Sequence, residues 1–189
     1  MRTVRREEIV DPAAYEKSRE AIRPSILEAK RRRRVHVAGV LTFLFENTAT
    51  IRYQIQEMVR AENMRREGDV QHEIETYNEL LGGPGELGCS LLIEIADPTE
   101  RDAKLRAWLD LPRHLYVRTE DGEKVRARFD PRQVGDDRLS SVQYLRFDVG
   151  GRQPIAVGSD LPAFTAETAL DGEQREALRQ DLESDARGA

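Results

Sequence analysis

The chain has 189 residues, 39% of them hydrophobic and 34% charged, with a net charge of −5. That length fits one domain with a real core, and the acid excess argues against duplex nucleic acid as the main partner, because such binding rests on Lys and Arg neutralising phosphates. A single cysteine, Cys89, excludes an intrachain disulfide and any four-cysteine zinc or iron–sulfur site, and it suits a reducing compartment.

Asp11 before Pro12 predicts a helix start, with Asp as the cap and Pro in the first helical position. Pro24 is expected to end or kink that helix, and Ser25 to cap a second piece closed by Arg31–Arg34. Val35–Glu46 reads as one long strand, interrupted at Gly39 and covered on both faces. Asn47 or Thr48 caps a helix over about 48–66, and a third helix covers about 69–81, stopped by Gly82-Gly83-Pro84-Gly85.

Ser90–Ile95 reads as a short strand, and Asp97-Pro98 opens a helix to about Leu109. His114–Thr119 and Glu123–Phe129 flank Asp121-Gly122, a strong hairpin signal. Ser140–Val149 is a further strand and Gln153–Val157 a last short one. A charged helix is expected over Leu170–Glu183. The fold class is therefore α+β: one domain over 1–158, with an antiparallel or mixed sheet of about five strands packed against helices. Residues 159–189 read as an acidic tail carrying a peripheral helix.

The chain lacks the glycine-rich fingerprints of dinucleotide and phosphate loops, and Gly82–Gly85 follows a helix where such a loop needs a preceding strand. His36, His72 and His114 form no pair at metal-ligand spacing, so no metal is assigned. Cys89 shows no neighbouring base, and a buried structural thiol is the simpler reading. No cofactor is expected, and whether the chain is an enzyme stays open.

Two candidate sites stand out. On the helix after Asn47, Ile51, Ile55 and Met58 form the apolar stripe, flanked by Arg52 and Gln54. A polar pocket built from Arg52, Gln54 and Glu57 beside Phe43 and Phe45 could bind a carboxylate or phosphate bidentately. The plainer account is that these long side chains lie along the surface or answer neighbouring backbone. The run Arg31, Arg32, Arg33, Arg34 could bind a partner or a polyanion, or simply complement a helix C-terminus. The first 34 residues are net basic, while 62–110 and the stretch after Ser159 are net acidic. Such segments can pair within the fold or between subunits, which leaves a homo-oligomer open. The N-terminus carries no apolar signal core, and runs such as Val40–Phe45 are too short to span a bilayer. The expected location is cytoplasmic, away from membranes.

The run LTFLFENTATIRYQIQEMVRAE, preceded by KRRRRV, resembles domain-of-unknown-function family 3501 of bacteria. The likeness continues through ELGCSLLIEIADPTERDAKL and the YLRFDV strand, covering most of 11–157. The resemblance supplies no catalytic residue. It implies a redox or peroxide-response setting, because relatives tend to be encoded beside rubrerythrin-like and heterodisulfide-reductase-like iron–sulfur proteins. The leading expectation is thus a non-enzymatic accessory protein that docks an iron–sulfur or rubrerythrin-like redox partner. A small-ligand pocket and polyanion binding are the alternatives.

Overall fold

The computed structural model describes residues 1–186. Helix α1 spans Pro12–Arg31, and its cap, Asp11, accepts hydrogen bonds from the backbone of Ala13 and Ala14. Pro24 does not end it. The helix runs through this exposed position, where a lost backbone bond is offset by solvent. Strands β1 (Arg34–Val37) and β2 (Leu41–Glu46) follow. They pair antiparallel, with Val37 opposite Leu41. The expected long strand is therefore a hairpin. Ala38 and Gly39 both take positive φ, 50° and 69°, and two such residues in succession reverse the chain.

Helix α2 (Thr48–Ala61) stops short of the expected Arg66, because Asn63 adopts φ 49°. Next come α3 (Glu67–Asn78), β3 (Glu86–Ile93), α4 (Pro98–Ala107) and the single turn α5 (Leu111–His114). The predicted Asp-Gly hairpin appears as β4 (Leu115–Thr119) and β5 (Lys124–Arg126). The chain ends with β6 (Val142–Asp148), β7 (Pro154–Leu161), β8 (Phe164–Ala169) and α6 (Gly172–Ala186).

The α+β class holds, and all pairing is antiparallel. Where about five strands were expected, the described residues hold eight in two sheets, ordered β1-β2-β3-β6 and β5-β4-β7-β8. The sheets face each other. At one seam Arg128 and Arg146 exchange two backbone hydrogen bonds of 2.8 Å. At the other, the Thr168 hydroxyl of β8 donates to the His36 carbonyl of β1. Alternate residues of each strand point inward, so Phe43, Phe45, Leu91, Phe147, Val117 and Val157 form one interior. The Phe147 ring stands 6.4 Å from Phe43 and 6.3 Å from Phe45, in tilted geometries that aromatic pairs favour.

The segment expected to be a tail from 159 onward contributes the end of β7, all of β8 and helix α6. Leu170, Leu178 and Leu182 lie in the inter-sheet core. Their spacing of four places Leu178 and Leu182 on one helical face, and that face closes the interior. A second, smaller core sits outside the first sheet, where α2 and α3 bury Ile51, Ile55, Val59, Val70 and Ile74 together with Val4 and Ile9.

The two cores meet where α3 returns to β3. A Cβ on Gly88 would fall 1.9 Å from the Leu80 carbonyl oxygen, so only glycine permits that approach. Gly88→Ala should therefore destabilise the chain by about 3 kcal/mol or more in urea unfolding, as overpacking against backbone does. Gly68→Ala, in the open first turn of α3 with nothing within 4 Å, should stabilise it by roughly 0.5–1 kcal/mol.

Candidate functional site

The residues proposed for a pocket do not come together. Phe43 and Phe45 are fully buried in the inter-sheet core, whereas α2 packs its apolar face into the second core. Arg52 points outward with 47% of its side chain exposed, 3.5 Å from Glu8. Gln54 is half-buried and reaches the Tyr77 phenol. Glu57 faces α1, where it accepts from the Tyr15 hydroxyl at 2.6 Å and from Arg19 at 2.7 and 3.1 Å. Arg60 lies 3.4 Å from the same carboxylate. Glu57 thus fastens α1 to α2.

The four consecutive arginines also separate, because successive residues leave a helix end in different directions. Arg31 bridges Glu28 and Glu173. Arg32 is half-buried, and Arg34 is exposed above a shallow groove shared with Lys30 and His36. Arg33 turns inward. It makes a bidentate pair with Asp181 of α6 at 2.7 and 2.8 Å, with only 9% and 7% of the two side chains exposed. Its remaining amine donates to the Ala29 carbonyl at 3.0 Å.

This pair opens a chain of buried polar contacts that sequence reasoning missed. Asp181 also accepts from the Asn47 amide at 3.2 Å. Asn47 caps α2 by accepting from the Thr50 backbone at 3.0 Å. The Thr50 hydroxyl donates at 2.6 Å to Glu46, which also accepts from Ser90 at 2.9 Å. Glu46 is itself buried, at the end of β2. A cleft of about 450 Å³ opens beside the cap, lined by Arg2, Asn47, Thr48, Ala49, Asp181 and Ser184.

Chemically, this network is closed. Each carboxylate already has donors, and its hydroxyls are occupied. Burial, with the Glu46 charge adding to it, pushes the Cys89 thiol well above its ordinary range, so the neutral, unreactive form is held. Among the described residues no group of three or more His, Cys, Asp or Glu side chains is placed to hold a metal ion. None of the described helices is long and apolar enough to cross a membrane.

Three outcomes follow for stability. Asp181→Ala leaves the Arg33 guanidinium buried and unanswered, and should cost about 3–5 kcal/mol in urea unfolding. Replacing both members, by Arg33→Met with Asp181→Leu, should recover much of that loss. The hydrogen bonds from Arg19 lower the Glu57 carboxyl from 4.5 to about 2, against the raising effect of burial. A depressed carboxyl contributes stability above its unfolded value and loses it as pH falls toward the folded one. Thermal melts of Glu57→Gln should therefore show a smaller drop between about pH 6 and pH 3 than the parent chain.

The fold has a solved relative. A crystal structure of a novel protein of unknown function from Burkholderia pseudomallei K96243 superposes with a TM-score of 0.87 at 28% identity, covering 96% of this chain and 100% of that one. No curated protein matches. The family model described as protein of unknown function (DUF3501) matches residues 3–182, and the chain belongs to that family.

Proposed function

We propose that this protein is a non-enzymatic accessory factor whose partner docks on α1. One observation carries this reading. Over 20 residues, α1 buries only Tyr15 and Ile26. Between and beside those anchors it presents Ile22 and Leu27 to solvent, 37% and 50% exposed, with Ala14 and Ala21 also open. Long helices in small domains ordinarily bury a continuous stripe. Lys17, Glu20 and Arg23 surround these apolar residues on the exposed surface. Ile22 borders the buried stripe and Leu27 lies about 140° farther round the helix, so the surface offers separate apolar points among mixed charges, which suits a small, transient interface of the kind redox proteins use.

The redox setting implied by the family resemblance is the reason an iron–sulfur or rubrerythrin-type protein is the partner proposed. The ligand-pocket alternative loses support because its five residues divide between separate cores and solvent. The polyanion alternative loses it because Arg31 and Arg33 are already neutralised by carboxylates.

Calorimetric titration of the purified chain with a rubrerythrin-type protein and with an iron–sulfur protein of the same source tests the proposal. Binding of either should weaken at least tenfold in Ile22→Asp or Leu27→Asp, as expected when each exposed apolar side chain anchors the partner, with the melting temperature unchanged. Absence of binding by both at about 100 µM, an affinity ample for a transient complex, would remove the reading.

A further inference from the structure

Residues 1–10 are attached to the rest of the molecule as a peptide ligand is attached to a receptor. Val4 gives its N–H to the Asn78 side-chain oxygen at 2.8 Å, and its carbonyl accepts from the same amide at 2.9 Å. Val10 is held identically by Gln56, at 3.0 and 2.9 Å. Each amide thus reads both backbone groups of one residue and is indifferent to that residue's side chain. Sequence preference comes from elsewhere. Val4 and Ile9 fill the cleft between α2 and α3 and touch the second core, and Arg6 pairs bidentately with Glu67 at 2.6 and 2.9 Å.

Two further backbone bonds are internal to the segment, from Glu8 to Arg5 and from Ile9 to Arg6, and the Arg2 carbonyl accepts from the Thr48 hydroxyl of α2. Apart from the Met1 nitrogen, which donates to the Gly82 carbonyl at 2.7 Å, no backbone–backbone bond ties it to the body among the described residues. No ladder therefore has to be broken to lift it. Its junction with α1 is short and open: Val10 is exposed, and an open cleft of about 700 Å³ lies beside Val10, Asp11 and Pro12.

We infer that the α2–α3 cleft is a recognition site for a segment whose apolar anchors, five residues apart, flank a single helical turn at Arg6–Glu8, and that it accepts residues 1–10 in trans from a second copy of this chain. The second copy is the occupant because its segment carries the anchors and the arginine that the cleft already fits. Exchange of an identical element is a low-cost route to a dimer. The tethered segment competes at a high effective concentration, so the exchanged form is a minor one until the resident segment is weakened.

The test uses full-length chains. Val4→Asp with Ile9→Asp ejects the resident segment, and a fluorescent peptide of the sequence MRTVRREEIV then serves as the probe. Saturable binding measured by anisotropy is expected, weakened at least tenfold when Asn78→Ala and Gln56→Ala are added. In sedimentation, the ejected-segment chain mixed with the Asn78→Ala, Gln56→Ala chain should form a heterodimer that neither forms alone. A folded ejected-segment chain that binds no peptide, an affinity indifferent to the two amides, or a mixture that stays monomeric would each overturn the inference. If the ejected-segment chain does not fold, hydrogen exchange of the parent chain decides. Val4 and Val10 amides that exchange by local opening support the inference, and amides that open only with global unfolding overturn it.

Discussion

The Arg33 guanidinium and the Asp181 carboxylate are removed from water together, and each would be costly to bury alone. Their bidentate contact fixes the last helix against the junction of α1 and β1. Through the Asn47 amide, the same carboxylate positions the cap that starts α2. Because Glu46 immediately precedes that cap, the end of β2 is set as well, and its carboxylate then holds Thr50 and Ser90. Six elements, β3 among them through Ser90, thus take their relative positions from one ionic contact and its hydrogen-bonded extension. Apolar packing supplies most of the driving force, but it is tolerant of small displacements. The polar chain is not, since a shift of an ångström would break it.

The division into two cores shapes what the surface offers. The inter-sheet core is enclosed by both sheets and α6, and contains nothing ionisable apart from the Cys89 thiol among its apolar members. The second core is shallower, roofed on one side by residues 1–10 and held by side-chain amides. Helix α1 belongs fully to neither. It is fastened mainly through Tyr15, Arg19 and Glu57, and so keeps much of its length in solvent. The molecule therefore combines a rigid barrel-like body with a lightly anchored outer layer, and its binding surfaces fall in that layer.

Local signals in the sequence reported local structure well. Asp11-Pro12 and Asp97-Pro98 start helices, Asn47 caps one, and Asp121-Gly122 turns a hairpin, because each acts within four residues. The reversal at Ala38-Gly39 was hidden because alanine rarely adopts positive φ. Strand β8 was missed because its faces alternate between half-buried and exposed, leaving no strong apolar pattern. The polar network was out of reach for a different reason. Arg33 and Asp181 are 148 positions apart, and nothing near either marks it as buried. Gln56 and Asn78 were equally unmarked, since their task depends on where residues 1–10 lie. Arg52, Gln54 and Glu57 do flank the apolar stripe of α2 as their spacing requires. Which neighbour each meets is decided by tertiary packing.

Helix α6 closes the inter-sheet core, yet it follows every strand of both sheets in the chain. Leu170, Leu178 and Leu182 are made after every strand, so a nascent chain carries an open apolar trough until they emerge. Contacts spanning so much of the sequence also close slowly, because loop-closure entropy is spent before they form. Such a chain is exposed to aggregation while it is being made, and shielding by a chaperone matters more during its synthesis than after its release.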